Sequence, residues 1–345
     1  MNYQKGFSIT GLNTGHVQGI AIDAKREFMY FSFTTSLIKT DMKGNIIGSV
    51  EGLCGHLGCI AYDYSDGSVW GSLEFKLDSI GKGILNHINL QTPPPDGFYA
   101  VRFDCDKITR PHMNAEEDGV MTAVFLKEVL DDYKAPGHRH GCSGIDGVTF
   151  APKFGQRDGE KLFYVAYGIY SETEREDNDY QVILSYSPKE LRSYLRPLNQ
   201  LAMHTSGPEK PLGKYFLYTG NTTYGIQNLE YDPYTNTHIV AVYQGQKPSF
   251  PNYPIFFIDQ DKEPKLMPLK GYKNTEGMVI SLCEIGEKDE RSGVWGLRQS
   301  LGDTGVISLG DGYYYFSRSI YENDLWGSEV SLYRFDKKTG KFIEA

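Results

Sequence analysis

One segment recurs along the chain and limits the folds that the chain can adopt. Residues 15–23 (GHVQGIAID) and 55–63 (GHLGCIAYD) share a Gly-His head, an Ile-Ala pair and a final aspartate at matching positions. Looser copies with a polar or glycine head and a short apolar run occupy residues 143–150, 225–232, 274–280 and 302–308. Repeated units of this kind bury their apolar faces by packing against one another. We expect the recurring Asp23, Asp63 and Asp232 to accept backbone hydrogen bonds in turns.

Short strands and tight turns follow the first copy. Residues 28–34 are aromatic and alternating, and residues 36–42 and 46–50 follow them on either side of a Lys-Gly-Asn turn. The end of the chain repeats this plan from residue 305. A four-stranded unit at this period indicates an all-β fold, a β-propeller with four-stranded antiparallel blades. A β-sandwich is the alternative, and the near-identity of the first two copies favours the propeller.

The number of blades depends on how two of the heads are interpreted. We predict one propeller domain over residues 1–345, with blades that begin near residues 15, 55, 141, 223 and 275 or 301. Glu276 and Thr304 lie too close together for a complete blade between them. Either the first of them belongs to an extra hairpin in a five-bladed ring, or residues 1–12 help to complete a sixth blade. We expect five blades, and one helix that starts at Ser187-Pro188.

Composition and charge argue against several classes of function. The formal net charge of −9 is unlike a nucleic-acid-binding surface, which needs a basic stripe. The five cysteines are odd in number and too sparse for a disulfide framework. The N-terminus lacks the apolar region of a signal peptide, and no apolar run reaches the length of a membrane-spanning helix. We therefore expect a cytoplasmic protein without a membrane partner, although a secreted protein with its signal peptide removed would look the same. The oligomeric state stays open.

Aligning the copies predicts a polar cluster at one mouth of the central channel. The innermost strand of each blade runs along this channel, so its first residues become neighbours there. The aligned positions hold Gln18, Gly58, Asp146, Gln227 and Thr304, with Glu276 as a competing member. Two residues earlier, on the same strand face, stand His16, His56 and Gly144. We expect the glycines to leave room for a substrate.

A mixed cluster of this kind favours a divalent metal. His16, Gln18, His56 and Glu276 are the predicted ligands, because imidazole and carboxylate groups suit Mn, Fe or Zn, and oxygen ligands suit Ca. Such a metal would polarise a carbonyl group or lower the pKa of a bound water. The chain has no strand-linked glycine fingerprint, so we expect no nucleotide cofactor. The alternative is that these residues only bind ordered water and fasten neighbouring blades.

The loop before the third copy supplies further candidates. Arg139 would hold a substrate carboxylate bidentately, and His140 or Asp146 would serve as the catalytic base. Tyr224 leads into the same mouth. The predicted substrate-binding residues are Tyr224, Gln227, Asn228 and His138.

The heads of the copies, such as Thr275-Glu276-Gly277-Met278, resemble the inner strands of gluconolactonase-like and phytase-like propellers. In those enzymes a central acidic and amide cluster holds a divalent cation that is used in hydrolysis. Carried over by position, the resemblance implies roles for Glu276, Gln227, Asn228 and Asp146. Histidines at two of the heads depart from this pattern. A cluster of His and Gln is instead similar to the metal sites of some propeller polysaccharide lyases, which abstract a proton next to a uronate carboxylate.

Two hypotheses about function follow. The first is a metal-dependent hydrolase or lyase that acts on a small sugar or sugar acid at the channel mouth. The second is a non-catalytic propeller that binds a small polar ligand, a carbohydrate or a protein. Fold alone does not separate them. Whether the insertions at residues 76–97 and 170–180 cover the mouth also stays open at this level.

Overall fold

Five antiparallel sheets surround a central axis in a computed structural model that describes residues 3–88, 90 and 92–345. The innermost strands contact their neighbours in a closed ring, so the last sheet also meets the first. This arrangement confirms the predicted five-bladed β-propeller. Within the described residues, no helix has the length and apolar character needed to cross a membrane.

The first two blades come from the N-terminal part of the chain, after a strand β1 (Gly6–Leu12). From the axis outwards, the first blade contains β2 (Val17–Ile22), β3 (Phe28–Phe33), β4 (Ser36–Asp41) and β5 (Ile46–Glu51). The second blade contains β6 (His56–Asp63), β7 (Ser68–Phe75), β8 (Gly97–Phe103) and, after a short strand β9 (Met113–Asn114) that pairs with β5, β10 (Met121–Phe125). Helix α1 (Ser79–His87) lies between β7 and β8, and helix α2 (Lys127–Lys134) follows β10.

The remaining blades follow in chain order. After a 3₁₀ turn (Arg139–Gly141), the third blade contains β11 (Cys142–Ala151), β12 (Leu162–Ile169), β13 (Tyr180–Tyr186), helix α3 (Pro188–Tyr194) and β14 (Gly213–Tyr218). The fourth blade contains β15 (Thr223–Asp232), β16 (Thr237–Tyr243) and β17 (Ile255–Asp259). A hairpin of β18 (Lys265–Pro268) and β19 (Glu276–Ile280) extends the third blade, and β20 (Glu287–Lys288) pairs with β21 (Trp295–Gly296). The fifth blade contains β22 (Val306–Ser308), β23 (Tyr313–Glu322), β24 (Leu325–Asp336) and β25 (Lys341–Glu344).

The two ends of the chain share one blade. Strand β1 pairs antiparallel with β24, with Phe7 opposite Val330, and so becomes an outer strand of the fifth blade. Of residues 1–12, the candidates for completing a sixth blade, the described strand Gly6–Leu12 therefore belongs to the fifth blade instead, and residues 1 and 2 lie outside the described residues. Pairing the N-terminal strand with the last blade closes the ring by backbone hydrogen bonds.

The copy that begins at Glu276 is not an inner strand. β19 pairs with β14, the fourth strand of the third blade, on the side away from β13. The segment at Glu276 therefore forms the extra hairpin of the five-bladed alternative. Only two of its five residues are buried, whereas β2 and β11 are buried at every residue. An inner strand is covered on both faces by the neighbouring blades, which explains this difference.

Apolar contacts between blades form much of the core. Trp70 of β7 is fully buried, and its ring centroid lies 6.3 Å from that of Phe150 and 5.4 Å from that of Phe163 in the third blade. Aromatic pairs at these distances add to the free energy gained by burial. The helix predicted at Ser187-Pro188 is also present, with the Ser187 hydroxyl accepting from the backbone N–H of Glu190.

The recurring aspartates have the predicted role in turns. Asp23 Oδ1 accepts from the backbone N–H groups of Glu27 and Phe28, at 2.7 Å each. Asp63 accepts from the backbone N–H of Ser65, and Asp232 from the turn that follows it. These carboxylates tie each inner strand to the next strand of its blade.

Closure of the ring predicts a specific loss of stability. Ile9 is the buried residue of β1, at 3% exposure, whereas Thr10 beside it is exposed. We expect Ile9→Ala to lower the free energy of unfolding by about 2–5 kcal/mol, because the apolar contacts of the closing strand are lost. Thr10→Ala should change it by less than about 0.5 kcal/mol. Urea unfolding of both variants measures the difference, and equal stabilities would contradict a closing role for β1.

Candidate functional site

A cavity of about 520 Å³ opens at the end of the channel where the inner strands begin. Its volume is that of a pocket for a small ligand. We call it the central pocket. Its lining includes His16, Gln18, His56, Glu74, Lys76, Ser143, Asp146, Tyr224, Gln227, Tyr243 and Trp326. The structure thus brings together six of the residues singled out from the sequence, namely His16, Gln18, His56, Asp146, Tyr224 and Gln227.

A buried ion pair lies at one side of the central pocket. Nζ of Lys76 is 2.6 Å from Oε1 of Glu74 and 3.5 Å from Oδ2 of Asp78, and it donates to the backbone carbonyl of Ser143 at 2.8 Å. The side chains of Glu74 and Lys76 are each only 5% exposed. Burial alone would lower the pKa of Lys76, but the Glu74 and Asp78 carboxylates outweigh it and raise that pKa. Lys76 is therefore a fixed cation at neutral pH.

Asp146 is the second buried carboxyl group of the pocket. Burial, together with the nearby charge of Glu74, raises the pKa of Asp146 well above its ordinary value, against the weaker opposing effect of Lys76. Its Oδ1 atom is buried and has no hydrogen-bond partner among the described residues. Burial also raises the pKa of Glu74, but this carboxyl group is paired directly with Lys76, which opposes that rise.

Two glycines make room for these carboxyl groups. A Cβ atom at Gly58 would lie 2.2 Å from Oδ1 of Asp146, and one at Gly144, where φ is +132°, would lie 1.8 Å from Oε2 of Glu74. The sequence predicted that these glycines leave space for a substrate. Instead, each accommodates a carboxyl group from the neighbouring blade, and the same Glu74 Oε2 accepts from the backbone N–H of Ile145.

The two pocket histidines are neutral. Burial lowers the pKa of His16, and burial with the nearby Lys76 charge lowers that of His56 to about 3. Nε2 of His16 is 3.1 Å from the amide nitrogen of Gln18 and 3.4 Å from the Tyr243 hydroxyl. Because an amide nitrogen only donates, this Nε2 is the acceptor and the ring proton lies on Nδ1. Nδ1 of His56 lies 3.6 Å from Oε1 of Glu74.

Helix α1 forms one wall of the pocket, so the insertion at residues 76–97 does cover part of the mouth. Ile80, Gly83 and Ile84 of this helix contribute to the lining. Asp78 is its N-cap and accepts from the backbone N–H of Gly81 at 2.9 Å, while its other oxygen faces Lys76 and the Tyr170 hydroxyl. One carboxylate therefore ties the helix to the buried ion pair. The insertion at residues 170–180 contributes no described residue to the lining.

Aromatic side chains also line the central pocket. The Trp326 ring lies 5.8 Å from the His16 ring. Tyr224 is 42% exposed and has a positive φ of 64°, a conformation that non-glycine residues rarely adopt. Its carbonyl oxygen accepts from the side-chain amide of Gln227 at 3.1 Å. Backbone conformations of this kind cluster at ligand sites.

The loop residues predicted for the site lie elsewhere. Arg139 pairs with the fully buried Asp132 at 2.7 Å, and His138 packs against Tyr133 and Tyr170. His140 is buried, with Nδ1 2.7 Å from the hydroxyl of Tyr272, and burial with the nearby Lys214 charge lowers its pKa to about 3. None of the three lines the central pocket. They pack around α2 and the third blade, where they stabilise the fold.

Two further predicted residues are also outside the pocket. Asn228 lies on the buried side of β15, and its Nδ2 donates to the backbone carbonyl of Gln18 at 2.9 Å. It therefore links the fourth blade to the first. Glu276 is exposed at the start of β19, on the outer edge of the third blade.

The arrangement does not fit the metal centre proposed for His16, Gln18, His56 and Glu276. In the described part of the chain, no group of three or more His, Cys, Asp or Glu side chains is placed to hold a metal ion. The Lys76 ammonium group is already paired with the carboxylates of Glu74 and Asp78. Metal binding stays a prediction from the sequence.

Sequence analysis missed Glu74, Lys76, Tyr243 and Trp326. A signal for the first two exists, because Glu74, Lys76 and Asp78 stand at every second position after an apolar strand segment. Alternate residues of a strand share one face, so this spacing predicts a row of opposite charges. Tyr243 and Trp326 carry no comparable signal, since both lie in strands that are rich in apolar and aromatic residues.

Comparisons with known proteins add little to this geometry. No protein-family model matches the chain, and no curated protein is significantly similar to it in sequence. Among solved structures, a Dos1 propeller is similar with 14% identity and a TM-score of 0.35, covering 94% of this chain and 80% of that one. A GH43 β-1,3-galactosidase solved with galactodeoxynojirimycin is similar with 11% identity and a TM-score of 0.44, covering 96% and 94%. At these values neither likeness supports an argument about activity. Fold and pocket together define a five-bladed β-propeller with a polar pocket at one channel mouth.

The buried ion pair predicts a large effect of removing one partner. Lys76→Met leaves the Glu74 carboxylate buried without its cation, and we expect a loss of about 3–5 kcal/mol in the free energy of unfolding. The double variant Glu74→Gln/Lys76→Met should recover much of this loss. The control is Lys107→Met, because its pair with Asp104 is largely exposed and should contribute less than about 1 kcal/mol. Urea unfolding of the four proteins tests the prediction, which fails if Lys76→Met and Lys107→Met are equally stable.

The raised pKa of Asp146 predicts a change of stability with pH. Below its ordinary pKa of 3.8 the carboxyl is protonated in the folded and the unfolded chain, so it contributes no difference. As the pH rises, only the unfolded chain ionises, and the folded state loses stability until the raised pKa is passed. We expect Asp146→Asn to be more stable than the unaltered protein, by a margin that grows as the pH rises from the ordinary pKa of 3.8 towards the raised pKa of the folded state. A margin that shrinks with pH in unfolding measurements would show that Asp146 is ionised in the fold.

Proposed function

We propose that this protein is a hydrolase that acts on an uncharged, sugar-like substrate in the central pocket by general acid–base catalysis. One observation carries the proposal. A buried carboxyl group, Asp146, whose pKa is raised well above its ordinary value, lies near the Glu74–Lys76 ion pair in a cavity that also presents two neutral imidazoles. A carboxyl group with a raised pKa beside a neutral imidazole offers an acid and a base in one pocket.

Asp146 is suited to the role of the acid. A carboxyl group that keeps its proton near neutral pH can donate it to the oxygen of a leaving group as the bond to that oxygen breaks. Gly58 leaves the space that this carboxyl group occupies, because a Cβ atom at position 58 would overlap with Oδ1 of Asp146. Activity should fall as the pH rises through the raised pKa of Asp146.

The neutral histidines are suited to accepting the proton of the attacking water. Both pKa values are lowered, so both imidazoles are uncharged at neutral pH. Of the two, His16 is the better suited base, because a pKa lowered to about 3 makes the His56 imidazole a weak base. In the balanced step, water bonds to the substrate carbon, the leaving group takes the Asp146 proton, and the imidazole takes a proton of the water.

The charges of the pocket favour an uncharged substrate over a sugar acid. Lys76 is the one Lys or Arg side chain among the described lining residues, and two carboxylates already neutralise it. Arg139, which would have held a substrate carboxylate, is paired with Asp132 outside the pocket. A lyase acting beside a uronate carboxylate needs a free cation at that point. Hydrolysis of a neutral substrate is therefore the better supported reaction.

The shape of the pocket supports the same class of substrate. Hydroxyl, amide and imidazole groups on one side offer hydrogen bonds to hydroxyl groups, and the Trp326 ring and the apolar side of α1 offer surfaces for C–H faces. Pockets that combine apolar walls with a few polar groups bind small molecules in this way.

The test compares Asp146→Asn with a matched variant at the other end of the channel. Glu230 is also a carboxyl group with a pKa raised by burial, to about 8, but it lines a separate pocket where the inner strands end. On a panel of 4-nitrophenyl glycosides of glucose, galactose, xylose, arabinose and mannose, we expect release of nitrophenol by the unaltered protein. Asp146→Asn should lower kcat/KM by about 10²–10⁴-fold, whereas Glu230→Gln should not.

Two outcomes would overturn the proposal. One is full activity of Asp146→Asn on a substrate that the protein cleaves. The other is the absence of cleavage across the panel while the same sugars bind to the central pocket, which would identify a non-catalytic binding propeller.

A further inference from the structure

A second cavity adjoins the central pocket and has no role in the chemistry proposed above. It measures about 540 Å³ and lies over the first blade, between the end of β1, the β3–β4 turn and the C-terminal end of α1. We call it the outer cavity. Three residues, Thr14, Thr35 and His87, line both cavities, so the two are adjacent along this edge.

A row of hydroxyl groups runs along the shared edge. Oγ1 of Thr14 lies 3.2 Å from Oγ1 of Thr35 and accepts from the hydroxyl of Ser36 at 3.1 Å. Thr14 and Ser36 are each 4% exposed, so their geometry is held by the surrounding blade. Hydroxyl groups both donate and accept, and a held row of them suits the hydroxyl groups of a sugar chain.

The outer cavity, like the central pocket, offers no free Lys or Arg side chain among its described lining residues. No Lys or Arg occurs among its described lining residues. Its one carboxylate, Glu51, faces the outer rim, where Oε1 lies 2.9 Å from Nδ1 of His112 and accepts from the Ser49 hydroxyl at 2.9 Å. An anionic oligosaccharide would therefore find no Lys or Arg side chain to pair with among these residues. A neutral, hydroxyl-rich chain meets apolar walls and hydroxyl groups instead.

We propose that the outer cavity is a second subsite, which binds the next units of a neutral oligosaccharide whose reacting unit lies in the central pocket. The inference rests on the proposed function for the identity of the reacting unit. It adds that the natural substrate is longer than one sugar, and that it crosses the Thr14–Thr35 edge beneath the end of α1. Each unit in the outer cavity adds binding free energy that a single sugar cannot use.

The test measures affinity against chain length. Isothermal titration calorimetry with neutral gluco-, galacto- and xylo-oligosaccharides, from mono- to tetrasaccharides, gives the dissociation constants of the unaltered protein. For the series that binds, we expect the dissociation constant to fall by about tenfold or more from the monosaccharide to the best oligosaccharide. An affinity that does not depend on length overturns the inference.

Variants then locate the effect. Thr35→Phe places a ring at the shared edge and should abolish the gain with length, whereas Thr10→Phe, on the exposed face of β1, should retain it. His112→Ala, at a side chain that is 80% exposed, removes a rim contact without disturbing the core and should reduce the gain for the longest chains. A full gain in Thr35→Phe overturns the inference even if the unaltered protein prefers long chains.

The two proposals fail separately. Cleavage that depends on Asp146 together with affinity that does not depend on length leaves the hydrolase and removes the second subsite. Affinity that rises with length, is lost in Thr35→Phe and occurs without cleavage leaves the subsite and removes the hydrolase. No binding by any member of the three series overturns both.

Discussion

The buried pair of Glu74 and Lys76 connects the parts of the molecule that meet at the channel mouth. Glu74 accepts from the backbone of β11 through Ile145, and Lys76 donates to the backbone of the same strand at Ser143. Asp78 adds its carboxylate and caps α1. Charges that leave water need partners of this kind, because an unpaired ion in the interior is strongly destabilising. The pair therefore holds the second blade, the third blade and the helix in one arrangement.

The same pair determines the chemistry available to the pocket. Lys76 pairs with Glu74, and the nearby charge of Glu74 adds to burial in raising the pKa of Asp146. The charge of Lys76 adds to burial in lowering the pKa of His56. The ion pair thus influences the titration of a carboxyl group and of a histidine, and Lys76, already paired with two carboxylates, is not free to bind an anionic substrate. This is why the pocket differs from the metal-centred site that its histidines suggested.

Particular elements show how far sequence reasoning reaches. The copies at residues 15–23 and 55–63 predicted two inner strands at their observed positions. The alignment of the copies put Gly58 and Asp146 at equivalent positions of neighbouring blades, and in the structure these two residues are in contact. The copy at Glu276 has the same local pattern but forms an outer hairpin. A short apolar run behind a polar head fits either position, because the pattern records which residues are apolar and not what covers them.

The sequence by itself determined the architecture of a propeller with four-stranded blades, together with the first residues of most inner strands and the turns held by aspartates, whereas the choice of five blades over six needed the structure. These depend on local periodicity and turn chemistry, which neighbouring residues encode. The tertiary structure alone decided which side chains share the pocket. The backbone at His138 and His140 has positive φ, and it directs this loop to the packing around α2 rather than to the mouth. Glu74, Tyr243 and Trp326 meet at the pocket from three different blades, and such a meeting depends on how the blades close around the axis, which no local pattern records.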